Sequence, residues 1–249
     1  MSGHSKWASI KHRKAKVDAQ KGRLFSRLNR EIMVAAKLGG GDPNSNARLR
    51  QAIQVAREAS MPMDNVERAI KKGTGALPGT VYEEYACEGY GPGGVAVLVD
   101  IMTDNKNRTT SEIRKIFSQR GGNLGQAGCV AWLFEKKGLI LVEKSKVPED
   151  KLMEIVIENG GEDLKAGDDL YEIITSVANF SKLKEVLSSM NIPATVAKLT
   201  MLPKNTVRVE GKEAESLLGL MDALETHDDV QNTYANFDIP DEILNQVRV

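Results

Sequence analysis

At Thr74-Gly75-Ala76-Leu77-Pro78-Gly79 the chain changes character. Before this point apolar residues recur at the helical spacing i, i+4. After it, short β-branched runs alternate with helical stretches, two of them closed by paired glycines. Such a chain has to set an all-helical unit beside sheet-containing ones. The charge divides at the same place. Residues 1–75 carry 16 Lys/Arg against 6 Asp/Glu, and residues 76–249 carry 18 against 28, so the net charge of zero is the sum of +10 and −10. That split calls for a polyanionic partner for the basic half.

In the first half, Leu24, Leu28 and Ile32 predict a helix over 22–38, stopped by Gly39-Gly40-Gly41. Leu49, Ala52, Ile53 and Ala56 predict a second, ending before Met61-Pro62. A third opens with Asp64 as N-cap and Glu67 three residues on, a capping-box pattern, and ends at Gly73. Residues 22–76 therefore read as a three-helix domain. Its short second turn and basic third helix fit a helix-turn-helix loosely. In front lies a basic arm, residues 1–21.

Past the linker, strands are expected over 81–87, 95–102, 130–134, 139–142, 195–201, 207–209 and 230–235. A hairpin is expected over 164–176. Helices are expected over 109–119, 148–159, 183–190 and 213–226, with Thr109 and Glu112 in capping-box register. The predicted fold class is α+β multidomain: the three-helix domain, then two ferredoxin-like α/β sandwich domains, one inserted in the other. Residues 137–203 form the insertion; 77–136 and 204–249 form the discontinuous domain around it.

The arm and first helix supply the candidate nucleic-acid contacts: Lys6, Lys11, Arg13, Lys14, Lys16, Lys21, Arg23, Arg27 and Arg30, with Trp7 and His12 between them. Cations in this arrangement neutralise phosphates and release counterions; about five contacts to duplex DNA give a log–log salt slope of roughly −4 to −5. Trp7 either stacks on an unpaired base or folds back on the first helix. The basicity continues into the helical domain, which favours nucleic-acid binding over a merely solvated tail. Lys106 and Arg108, in the strand-to-helix loop 103–109, are secondary phosphate-contact candidates beside a polar-loop reading.

Other classes find no support. The longest purely apolar run, Val95 to Val99, is far short of a membrane span, and no secretory signal opens the chain. Cys87 and Cys129 belong to no CxxC pair and read as small buried side chains in a reducing cytosol. The three histidines have no metal-ligand spacing, so neither a metal nor a cofactor is expected. A nuclease would need Asp100, Asp104 and Glu112 to gather around a metal, which no spacing rule supports. No small-molecule substrate motif occurs.

Gly3-His4-Ser5-Lys6-Trp7, Ile10-Lys11-His12-Arg13-Lys14 and Lys21-Gly22-Arg23-Leu24-Phe25 resemble the opening of the YebC/PmpR family. Tyr90-Gly91-Pro92-Gly93-Gly94-Val95, Thr103-Asp104-Asn105-Lys106-Asn107-Arg108-Thr109 and Gly121-Gly122-Asn123-Leu124-Gly125 resemble its later signatures. The resemblance implies three domains and a cytoplasmic, non-enzymatic protein. Members are widely labelled probable transcriptional regulators that bind DNA. Others, including the mitochondrial translational activator of cytochrome c oxidase, act on the ribosome and assist synthesis through proline-rich stretches. It further implies that Lys6, Lys11, His12, Arg13 and Lys14 are the contacts to DNA or ribosomal RNA.

Overall fold

A computed structural model describes residues 18–240. Lys6, Trp7, Lys11, His12, Arg13, Lys14 and Lys16 lie outside the described residues.

Three helices open the described chain: α1 (Asp18–Gly39), α2 (Ala47–Glu58) and α3 (Met63–Gly73). α1 already runs at Asp18, inside the stretch expected to be an arm. Asn46 explains how α2 is set against α1. Its side-chain oxygen accepts from Leu49 N at 3.0 Å, a standard N-cap. Its amide donates to Ala35 O and Gly40 O, each at 2.8 Å, so one buried side chain closes both helix ends. The expected cap on α3 is not formed. The N-cap position is Pro62, without a side-chain bond, and Asp64 sits two residues on, in the first turn, where its charge suits the positive helix end.

Leu28, Ile32, Leu49, Ile53, Ala56, Val66 and Ala69 make the helical core. α2 and α3 both lie on α1 and touch one another little, which is not the packing of a helix-turn-helix pair. Gly73 shows how close α3 comes. A Cβ there would stand 2.3 Å from Met33 O and 2.9 Å from the Ala36 Cβ.

Two four-stranded sheets follow. Their elements in chain order are β1 (Glu83–Tyr90), β2 (Ala96–Thr103), α4 (Lys106–Gln119), β3 (Asn123–Leu124), β4 (Phe134–Glu143), α5 (Glu149–Glu158), β5 (Gly161–Ala166), β6 (Leu170–Thr175), α6 (Phe180–Ser189), β7 (Ala194–Pro203), β8 (Val207–Arg208), α7 (Gly211–Thr226), β9 (Val230–Ala235) and β10 (Phe237–Asp238). β8 and β10 pair in parallel as a small ribbon.

The sheets run β3-β1-β2-β9 and β5-β6-β4-β7, antiparallel throughout. Each is covered on one face by a helix pair. α4 and α7 bury Ile113, Phe117, Leu217 and Met221 against Val97, Val99 and Ile101. α5 and α6 bury Leu152, Val156, Leu183 and Leu187 against Ile140, Val142 and Ile173. β4 to β7 is a complete ferredoxin-like β-α-β-β-α-β unit. It stands inside the first sheet's sequence, since β9 returns after it to pair Val97 with Ala235. The other face of β2 packs Ala96 and Leu98, with Tyr234, against Val130, Leu133 and Phe134.

One local expectation is corrected. Residues 130–134 and 139–142 are not two strands. A 3-10 turn at Ala131–Leu133 leads into a single ten-residue β4 that runs straight through Gly138.

Candidate nucleic-acid interface

The arginines of α1 divide in two. Arg23 is exposed. Arg27 and Arg30 instead reach across to the end of α7. Arg27 donates to Glu225 O and Arg30 to Asp228 O, placing cations at the negative end of that helix. Burial, with Arg30 and Arg23 nearby, pulls the Arg27 pKa below the usual guanidinium value, against the opposing pull of Glu225. Arg30 also stands 3.7 Å from Asp229 and 5.6 Å from the centre of the Tyr82 ring. Lys21 falls in the first turns of α1.

A second tie runs through Arg48 of α2. Its guanidinium bonds Glu31 of α1 at 2.7 Å and Glu84 of β1, and both carboxylates hold its pKa well above normal. A third pairs Glu58 of α2 with Lys184 of α6 at 2.9 Å. The helical unit is thus tied to both sheets by polar contacts.

Between α1, α4 and the end of α7 lies a cleft of about 870 Å³. Arg23, Arg30, Arg108 and Lys115 line it together with Asp104, Glu112, Asp228 and Asp229. Cations and carboxylates balance there, so the cleft is no net anion trap.

The loop between β2 and α4 explains why. Asn105 caps α4, its side chain accepting from Arg108 N at 3.1 Å. Thr109, expected as that cap, is instead fully buried in the first turns of the helix and donates to Asp229 Oδ2 at 2.7 Å. Thr103 donates to the same oxygen at 3.0 Å and Arg108 at 2.8 Å. Burial opposes charge at Asp229. These three bonds and the nearby Arg30 outweigh it and hold the carboxyl below its ordinary range. Arg108 also bonds Asp104 at 2.9 Å. Lys106 stands 5.0 Å from the Tyr85 ring centre, its side chain exposed. The structure therefore knots the Thr103–Thr109 motif around a carboxylate that lies far away in sequence, which no local pattern signals.

Asp100, Asp104 and Glu112 are not gathered. Asp100 accepts from the Tyr234 hydroxyl at 2.8 Å, and Glu112 pairs with His227 at 2.9 Å. Among the described residues no group of three His, Cys, Asp or Glu side chains forms a metal cluster. Cys87 is buried in the first sheet, which pushes its thiol up to about 11. No described helix is long and apolar enough to cross a membrane.

The cations of the helical unit that face solvent are Arg23, Lys37, Arg50, Arg57, Arg68 and Lys71, with Lys72 half-buried. They spread over all three helices. A second exposed feature lies at the far end of β1. Glu88, a buried carboxylate in the strand, accepts from Gly128 N, Val130 N and Ala131 N, each at 2.7 Å. It fixes the loop that carries the exposed Trp132. The sequence offered no signal for Glu88, whose partners are backbone groups of a distant loop.

Residues 5–76 match the family description "TACO1/YebC protein N-terminal domain", and residues 82–237 match "TACO1/YebC second and third domain". The chain belongs to the TACO1/YebC family. The YebC resemblance of its sequence motifs thus extends over almost the whole chain. TACO1/YebC relatives include a "Probable transcriptional regulatory protein" of Dictyoglomus turgidum, 59% identical over 245 residues and covering 98% of both chains. Another of the same name, from Natranaerobius thermophilus, is 56% identical over 98% of this chain and 99% of its own. The crystal structure of a conserved hypothetical protein from Aquifex aeolicus is similar, with a TM-score of 0.82 and 51% identity over 92% of this chain and 95% of that one. This TACO1/YebC chain therefore shares its fold as well as its sequence with the family.

Proposed function

We propose that the protein is a non-enzymatic transcriptional regulator that binds duplex DNA through its basic N-terminal half. The name shared by its close relatives supports a regulatory role. The carrying observation is the distribution of exposed charge. Arg23, Arg50, Arg57, Arg68 and Lys71 face solvent on the helical unit, continuous in sequence with the Lys6–Lys16 segment, while the acidic excess lies in the sheet domains. Phosphate neutralisation by such a surface gives affinity that falls steeply with salt.

One observation favours a second reading, a ribosome-associated factor that binds ribosomal RNA and assists synthesis of proline-rich stretches. α2 and α3 each pack on α1 rather than on one another, and the exposed cations do not concentrate on one groove-reading helix. Contacts of that kind position a protein on a shaped phosphate surface.

Crosslinking the intact protein in cells, with both DNA and RNA sequenced, separates the two. Promoter fragments without ribosomal RNA are expected for the regulator. Ribosomal RNA alone would transfer the function to the ribosome, and recovery of neither would remove nucleic-acid binding altogether.

A further inference from the structure

We propose that Trp132 and Tyr90 form a second nucleic-acid contact, a platform on which an unpaired base of a single-stranded segment stacks. It rests on the nucleic-acid-binding reading and extends it to the acidic half of the chain. Trp132 is 64% exposed and Tyr90 42%. Large aromatic side chains are mostly covered in folded proteins, and nothing in the packing forces this one out. Its neighbours Val130, Leu133 and Phe134 are all buried, so the backbone on both sides is held in the core.

The polar ends of both rings are tied to one atom. The Trp132 indole N–H donates to Cys129 O at 3.1 Å, and the Tyr90 hydroxyl donates to the same oxygen at 3.2 Å. That carbonyl sits on the loop held by the three Glu88 bonds. Both rings are therefore oriented before any ligand arrives, which lowers the entropy lost on binding.

Lys204 gives the patch a cation for a phosphate backbone. Segments 89–94, 125–134 and 203–206 contain no acidic residue; Glu88 is taken up by three backbone N–H groups, the exposed Glu135 stands just past the segment, and Arg120 turns away to Gly219 of α7. β3 pairs with Gly89 and Tyr90, and Lys204 donates from Nζ to Trp132 O at 3.0 Å, so the segments are contiguous. Glu213 approaches them from α7, at Gly93. Every base offers a π-face to such a platform, but only when unpaired; a duplex presents its base edges.

The test uses the full chain carrying Trp7→Phe, which leaves Trp132 as its only tryptophan. Oligo(U), oligo(dT) and a duplex of equal length are titrated while indole emission and the anisotropy of the labelled strand are followed. Saturable quenching by single strands and none by the duplex is expected. Quenching by either single strand supports the platform, and the tighter one names its source. Adding Trp132→Ala should weaken single-strand binding roughly 5- to 150-fold and leave duplex binding unchanged. Tyr90→Phe, which keeps the ring and loses its tether, should weaken it less. Single-strand binding without any change in Trp132 emission would overturn the platform and leave nucleic-acid binding standing. So would an emission change on concentrating the protein alone, which would assign the face to a second copy of the chain. If none of the three nucleic acids binds, and none binds the chain with Trp7 in place, nucleic-acid binding itself falls, and the platform with it.

Discussion

Replacing Glu88 by Gln tests how the loop 125–131 is held. The carboxylate receives three N–H groups at 2.7 Å, each a bond to a charged acceptor. Gln keeps one oxygen. In its better orientation that oxygen serves Val130 N and Ala131 N, while the new amide N–H₂ meets Gly128 N–H donor to donor. One bond to charge disappears, and two weaken to neutral strength. At about 1.5–3 kcal/mol for a bond to a charged group and about half that for a neutral one, Glu88→Gln should cost about 3–6 kcal/mol. The pH dependence follows from the direction of the pKa. Burial raises it, but the three backbone bonds more than compensate and leave it below the ordinary glutamate value. A carboxyl that ionises more readily folded than unfolded adds stability fully above the unfolded value. That stability is lost as pH falls through the folded one. The gap between wild type and Glu88→Gln should therefore be wide at pH 7 and shrink in acid, where both side chains are neutral. Urea unfolding followed by circular dichroism at pH 7 and pH 3 measures it. Equal midpoints at pH 7, or a gap as wide at pH 3, would refute the account.

Asp229→Ala should cost about 3–5 kcal/mol, because Thr103 and Thr109 lose a buried charged acceptor and Arg108 its partner; thermal unfolding reads the loss. Gly73→Ala should destabilise by about 1–3 kcal/mol through its clash with Met33 O, although helix propensity alone predicts a gain of about 1 kcal/mol; the sign in a chemical melt decides. Arg68→Gln with Lys71→Gln should flatten the log–log salt slope of nucleic-acid binding by about 2 and leave the melting temperature unchanged, measured by anisotropy across a salt series.

Where sequence and structure agree, the signal is local. Leu28 and Ile32 of α1, the four buried residues of α2 and the apolar run of β2 each belong to one element's own pattern, and they are buried as expected, whereas Leu24, one turn earlier in the α1 row, is exposed. The nested pair of sandwiches was also legible, because strand and helix beats alternate along the chain and a glycine pair closes α4 and α5. Where they part, the deciding partner is remote. Gly138 looks like a break between two strands, yet a Cβ there would stand 2.6 Å from Phe180 and from Thr175, so the glycine admits the α6 end and β6 without ending β4. Thr109 and Glu112 have capping-box spacing, but Asp229 claims the threonine. Arg27 and Arg30 carry the same charge as Arg23, and only the carbonyls at the end of α7 distinguish their roles.

The nesting of one sandwich within another also orders events on the ribosome that makes this chain. β5, β6, β4 and β7 are contiguous in synthesis and can close as soon as they emerge, whereas β2 waits for β9 with an unpaired edge. α7 arrives just before β9. Until then Arg27 and Arg30 have no carbonyls to hold, so the nascent protein displays two more unclaimed cations on α1 than the finished one does.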